Sequence, residues 1–529
     1  MSSSSGLDAL LSPILPAGMT GRTFTLWAVL VVLLLWLGKL LHRALSRRLH
    51  AMGLFRKSAS IPTLPASLKK DIETATKEMV ANVVDASIKP VRSLPSHGWQ
   101  YNAIIKRLEK MMKIDQEKKI SGKFSGQVFD SSKEIVTVNQ ESSSKFLFCN
   151  LLFYDLHASS LQMDDEVISM MIRILNGKGK ASGVTTTGNC ESSLLAVLAY
   201  RRYYWSKGII EPELVLSEAA HPSLYKACEF MNVKPVVVPI DKNTGAASLE
   251  DFKSRVNCNT IAICCSAPDQ IFGQVDPVQE LAAFAKSKGI GLHLDATLGG
   301  FIYPFLEDPK SKPQPMDFTV DGITSISVEP QSYGCAALGI GVLMFSQADI
   351  QKAMYWGTAS WCGYLYASAT FLGSKACNSI ASAWATLQYT GTKVYSEAAE
   401  KIVEQTKSFS AKLREIQGIK VIGNPWMGVI AFRPESVDTF ALGQWLENKG
   451  WSVDPLQAPA LQLIITHTNL GQLKELAQLL KKGVEEVKIA APTLTGRWSL
   501  ASRLYQTAKT NPSLANEAAR HFLSLTYQF

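Results

Sequence analysis

Between about residues 180 and 346, short apolar runs rich in β-branched residues recur along the chain, separated by stretches with helical spacing. The runs are Val184 to Thr187, Glu213 to Leu216, Pro235 to Ile240, Thr260 to Cys265, Gly291 to Leu294, Ile323 to Val328 and Ile340 to Phe345. Strands that alternate with helices in this way predict an α/β domain on a mainly parallel sheet with helices on both faces. Such sheets bind ligands at the carboxyl ends of their strands. From about residue 385 the pattern changes to amphipathic helices, with Leu473, Leu476, Leu479, Leu480 and Val484 at helical spacing and short strands near Val421 and Leu461 to Thr466. A smaller C-terminal α+β domain over 385–529 is expected.

The N-terminal pattern is different. Residues 1–23 are mostly small and polar and predict a short tail. Phe24 to Leu41 is apolar apart from Lys39, near the lower limit of the roughly 17 to 25 residues a spanning helix needs, and Lys39 can snorkel to the interface. Several Arg and Lys follow this run and only Arg22 closely precedes it, so the positive-inside rule puts the rest of the chain in the cytosol. A cleaved signal peptide fits less well, because the nearest small-residue triplet, Ala44-Leu-Ser46, is embedded among arginines. A buried soluble helix should show a polar face, and this run has none. The expected order is therefore a transmembrane anchor at 24–41, a basic linker with a helix from about Pro65 to Ala86 over 42–93, and the large domain over 94–384.

Composition narrows the function classes. A chain of 529 residues with 47% hydrophobic and 19% charged residues is a folded protein of two or three domains. Much of the net charge of +9 sits beside the anchor, in Lys39, Arg43, Arg47, Arg48, Arg56 and Lys57. That placement points to an anionic membrane face and away from nucleic acid. The nine cysteines include no CxxC and no His/Cys pairing at zinc spacing, so they read as reduced thiols with no metal site.

Candidate chemistry lies in turns at strand ends. Thr185-Thr-Thr-Gly188-Asn189-Cys190-Glu191-Ser192 passes from a strand through a glycine turn into a helix, whose first N–H groups form an anion site. Asp295 closes an apolar strand, where burial is costly unless it meets a cation or caps the next helix. His221 follows Ser217-Glu-Ala-Ala at a strand-to-helix junction, where a lone histidine usually acts as a cap. Asp321 to Phe345 reads as a strand, a turn around Glu329 and Pro330, a loop carrying Gln331-Ser332-Tyr-Gly334, and a buried strand.

In this order the motifs resemble the sphingosine-1-phosphate lyases, in the group II decarboxylase-like branch of the fold-type I pyridoxal phosphate enzymes. The resemblance spans about residues 94 to 500. It includes Leu94-Pro-Ser-His-Gly98, Gln270-Ile-Phe-Gly273-Gln-Val-Asp276-Pro277, and Tyr366-Ala-Ser368 through Gly373-Ser374-Lys375. It implies the transferase fold of that class and a cofactor phosphate at Gly188, Asn189 and Cys190. The cofactor ring would stack on His221, its nitrogen would pair with Asp295, and Gln331 would lie beside it. Ser368 and Gly373 would reach the phosphate across a dimer interface, and Asn150, Asp155 and Tyr366 would border the substrate.

The implied reaction cleaves a phosphorylated sphingoid base to a fatty aldehyde and phosphoethanolamine. Where the family carries His-Lys, however, this chain has Gln331-Ser332, so the Schiff-base lysine is replaced by Ser332. Asn189 stands for a glycine, Cys190 for a threonine, Phe153 for a histidine, Ser125 for a tyrosine, Leu338 for a lysine and Lys375 for an arginine. Lys226 and Lys375 are the nearest substitute amines, and neither is on the turn facing Asp295. The expectation is a homologue in the endoplasmic reticulum membrane, facing the cytosol, with pyridoxal phosphate noncovalent or absent and activity lost or severely reduced. It would form a homodimer or pair with a related lyase. Two alternatives stay open: a working divergent lyase or decarboxylase, and a non-enzymatic scaffold or regulatory subunit.

Overall fold

The apolar runs become strands of one sheet, with boundaries shifted by one or two residues. In this computed structural model the described residues are Trp36, 62–83, Ile88, 91–126, 128–129, 132–308, Lys312 and 314–527. Apart from Trp36, the expected anchor at 24–41 lies outside them, as do the tail and the linker to residue 61. Among the described residues no helix is long and apolar enough to cross a membrane.

The helices α1 (Ala66–Val83), α2 (Tyr101–Ile120), α3 (Lys133–Lys145) and α4 (Ala158–Ile174) precede the sheet. There follow β1 (Ser182–Thr186), α5 (Asn189–Ser206), β2 (Glu213–Ser217), α6 (Pro222–Met231), β3 (Lys234–Val238), α7 (Leu249–Arg255), β4 (Thr260–Ser266), α8 (Val278–Lys288), β5 (Gly291–Asp295), β6 (Ser325–Val328) and β7 (Gly341–Phe345). The sheet order is β1-β7-β6-β5-β4-β2-β3. Pairing is parallel except for β7, which runs antiparallel to both β1 and β6.

Side chains alternate between two cores, as strand geometry requires. Val215, Ile263, Cys265, Val342 and Met344 enter one core, and Leu214, Leu216, Cys264, Leu343 and Phe345 enter the other, against α5 and α6. The adjacent Cys264 and Cys265 are therefore buried on opposite faces, as small hydrophobes.

The rest of the chain comprises α9 (Ala348–Met354), the hairpin β8 (Trp356–Thr358) and β9 (Tyr366–Ser368), α10 (Asn378–Arg414), β10 (Ile419–Val421), β11 (Val429–Pro434), α11 (Thr439–Asn448), β12 (Asp454–Pro455), β13 (Leu461–Ile464), α12 (Leu473–Ile489), α13 (Gly496–Thr510) and α14 (Pro512–Thr526). Strands β10-β11-β13-β12 form a small antiparallel sheet. On α12 the expected stripe is buried at Leu473, Leu476, Leu480 and Val484. The position expected as a boundary, 384/385, lies within α10, in which two helical stretches meet at a kink at Gly391 (φ 66°). The helix expected over Pro65 to Ala86 is observed as α1, and it packs Leu68, Ile72 and Ala75 against Leu500 and Ala518 of α13 and α14.

Candidate functional site

Polar groups gather where β1, β5 and β6 end. After β1 the chain reverses through Gly188 at φ 132°, a conformation L side chains rarely adopt, and enters α5. Glu191 reaches back from the first turn of α5, accepting from the Thr187 N–H at 2.7 Å and the Thr187 hydroxyl at 3.0 Å. This resembles the return arm of a capping box.

The first N–H groups of a helix have no partner within it. That of Asn189 donates to Oε1 of Glu329 at 2.5 Å. Glu329 immediately follows β6 and is buried. Its Oε2 accepts from the Ser332 hydroxyl at 2.9 Å, and its Oε1 accepts from Gln331 Nε2 at 3.2 Å. Burial pushes its carboxyl pKa up and nearby Asp295 adds to the rise, while the bonds from Asn189, Ser332 and Gln331 pull it back. Gln331 is anchored in turn, its Oε1 accepting from the N–H groups of Gly339 at 2.7 Å and Ile340 at 2.9 Å.

The Asn189 side chain links the other strand ends. Its Nδ2 donates to Asp295 Oδ2 at 3.3 Å and lies 3.4 Å from His221 Nδ1. Asp295 Oδ1 accepts from the Thr297 N–H at 3.1 Å. His221 caps α6, with Nδ1 accepting from the Ser223 N–H at 3.2 Å. Burial lowers its pKa against the opposing pull of Asp295, which favours the neutral ring. The cap reading thus describes how His221 is bonded, and the fold still brings it into one cluster with Asn189, Asp295, Glu329, Gln331 and Ser332.

The remaining candidates are placed differently. Cys190 is exposed at the start of α5. Ser368 donates to the carbonyls of Thr370 and Leu372 at 2.8 Å each, and a Cβ at Gly373 would stand 2.9 Å from the Tyr366 hydroxyl. These three belong to the β8–β9 region, which touches α5 of the same chain where the Phe371 N–H meets Glu191 Oε1 at 3.3 Å. Asn150 braces the 375 loop, accepting from the N–H groups of Leu152 at 3.1 Å and Lys375 at 3.0 Å. Asp155 is exposed in the turn before α4. Neither substitute amine joins the cluster: Lys226 lies over the Phe230 ring at 5.5 Å, and Lys375 pairs with Asp164 at 3.3 Å.

The residue that sequence reasoning missed is Glu329, which it treated only as part of a turn. The available signal was an acid just after an apolar strand, matching Asp295 at the end of another strand. Sheet order makes β5 and β6 neighbours.

The pyridoxal-dependent decarboxylase conserved domain matches residues 89–435. The sphingosine-1-phosphate lyase of Dictyostelium discoideum is 31% identical over 436 residues, covering 82% of each chain. That of Oryza sativa is 35% identical over 414 residues, covering 76% of each. Among solved structures, a Burkholderia pseudomallei sphingosine-1-phosphate lyase aligns with TM-score 0.73 at 28% identity, over 77% of this chain and 95% of that one. Lactobacillus brevis glutamate decarboxylase shares the fold, with TM-score 0.66 at 18% identity over 78% of this chain and 98% of that one.

Proposed function

Because the chain belongs to the pyridoxal-dependent decarboxylase family and, within it, to the sphingosine-1-phosphate lyases, we propose that it is a lyase homologue of sphingolipid metabolism that has lost most or all carbon–carbon cleavage. Pyridoxal phosphate is the family's cofactor. It carries an aldehyde that a lysine amine captures and a ring that serves as an electron sink. The donor set in this chain does not fit that group. At the turn after β6 the side chain is the Ser332 hydroxyl, buried and donating to Glu329, and a hydroxyl can form no imine.

The observation that carries this reading is the absence of an amine at Ser332, with Lys226 and Lys375 held elsewhere. Loss of a positioned proton-transfer group alone costs on the order of 10²–10⁴-fold in rate. The test is to incubate purified protein with pyridoxal phosphate, reduce with borohydride and map the peptides, while measuring aldehyde release from a phosphorylated sphingoid base. No lysine modified stoichiometrically and ahead of the exposed ones is expected, with turnover at least about 10²-fold below that of an active relative. One equivalent of borohydride-fixed cofactor on a single lysine, at cofactor concentrations that leave the exposed lysines unmodified, would overturn the reading.

The same reading includes an anchor at 24–41 in the endoplasmic reticulum membrane, with the folded domains in the cytosol, and pairing with a second copy or a related active lyase. Pairing is favoured by the β8–β9 region, which exposes Trp356, Trp361, Tyr364, Leu365 and Phe371 together. Clustered apolar side chains of this kind mark interaction surfaces.

A further inference from the structure

The turn that opens α5 is filled by side chains of its own chain. Glu329 holds a carboxylate oxygen 2.5 Å from the Asn189 N–H, the place at a helix start that suits an anion. That oxygen and the Gln331 amide nitrogen each stand 3.1 Å from where a Cβ on Gly188 would lie, so the open face of the glycine is covered. On the other side, the Asn189 amide donates to Asp295 at 3.3 Å, so the carboxylate at the end of β5 already holds an N–H. These side chains are locked in place. Glu329 is tied at its second oxygen by Ser332, Gln331 by Gly339 and Ile340, and Asn189 and Asp295 are both buried.

Charge acts in the same direction. Glu329 and Asp295 flank the turn, and Glu191 sits in the first turn of α5. Lys375, which lines the adjoining 220 Å³ cavity with Glu191, is bound to Asp164. An arriving phosphate would have to displace the Glu329 carboxylate from the Asn189 N–H and would find the Lys375 amine already paired.

We propose that this cup is self-occupied: the Glu329 carboxylate stands in for a phosphate at the Asn189 N–H, the Asn189 amide stands in for a ring N–H at Asp295, and pyridoxal phosphate is excluded. The inference rests on reading the cup as the family's cofactor site and goes beyond the missing amine. It predicts that restoring the lysine by itself restores nothing.

The test titrates the full chain with pyridoxal phosphate, reading bound cofactor by equilibrium dialysis and by the shift in melting temperature. Wild type and Ser332→Lys are both expected to bind no tighter than about 1 mM. The double variant Asn189→Gly with Glu329→Ala is expected to bind at least about tenfold tighter and to gain melting temperature with cofactor. Glu329→Gln keeps the shape and removes the charge; it should gain part of that affinity, which guards against a double variant that fails to fold. Wild-type binding near about 1 μM without a borohydride-fixed lysine overturns the self-occupied cup and leaves the missing-amine reading standing. Binding with a fixed lysine removes both. Cooperatively melting variants that gain no affinity also overturn the cup.

Discussion

Two buried aspartates in the loop after β4 carry a titration of their own. Asp269 accepts from the N–H groups of Ile271 at 2.9 Å, Phe272 at 2.6 Å and Gln274 at 2.6 Å, and Asp276 accepts from the Ser266 N–H at 2.8 Å. Burial outweighs these bonds and pushes both carboxyls up to about 7 from 3.8. A raised carboxyl means that the folded chain holds protons the unfolded chain has released. Its contribution to stability is therefore fully present below about pH 3.8 and is lost as pH rises through about 7. His293 acts in the opposite direction. Burial lowers it to about 4, so its contribution is lost as pH falls from 6.5 through 4. Asp276→Asn keeps an acceptor for Ser266 and removes one titration. The variant should lose less melting temperature than wild type between about pH 4 and 7.5, as followed by circular dichroism. Equal losses would show that Asp276 is not a source of the effect.

At the scale of elements, close approach decides where substitution hurts. Gly443 lies on α11 against the fully buried Trp498 of α13, and a Cβ there would stand 2.1 Å from the indole ring. Gly443→Ala must push the ring or the helix, and overpacking of this kind destabilises by about 1–3 kcal/mol. The lowered urea midpoint should appear with Gly443→Ala and not with Gly471→Ala, where an added Cβ meets nothing within 4 Å. A midpoint that holds in both would mean that α11 and α13 can part at no cost. The start of α5 shows the same logic in a polar setting, where the fit of Glu329 to the Asn189 N–H depends on β6 ending beside the turn after β1.

At the scale of the molecule, the β8–β9 region exposes apolar side chains beside α5. Trp361 and Phe371 are about half exposed, at 46% and 50%, more than a solvent-facing loop needs. A stable interface buries roughly 1,200–2,000 Å² in total, and such side chains make natural anchors. Sedimentation of the folded domains should give a dimer, with Trp361→Ser plus Phe371→Ser shifting it to monomer without loss of helical signal. A wild type that sediments as a monomer at micromolar concentration would refute self-pairing and leave pairing with a related lyase as the outcome to test.

What could be read from the chain alone was local. The seven strands were legible because apolar β-branched runs encode extended structure and face alternation within a few residues. The family motifs were legible because turns such as Gly188 need particular residues in sequence. That a serine stands at position 332 needed no fold at all. What tertiary structure decided was adjacency. Asn189 and Glu329 are 140 positions apart, and Asn189 and Asp295 are 106 apart; they meet only because the order β1-β7-β6-β5 brings those strand ends to one edge of the sheet. Periodicity specifies which face a side chain takes but carries no information about which strand lies next to it. The contact of the Glu329 carboxylate with the Asn189 N–H therefore became visible only in the folded chain.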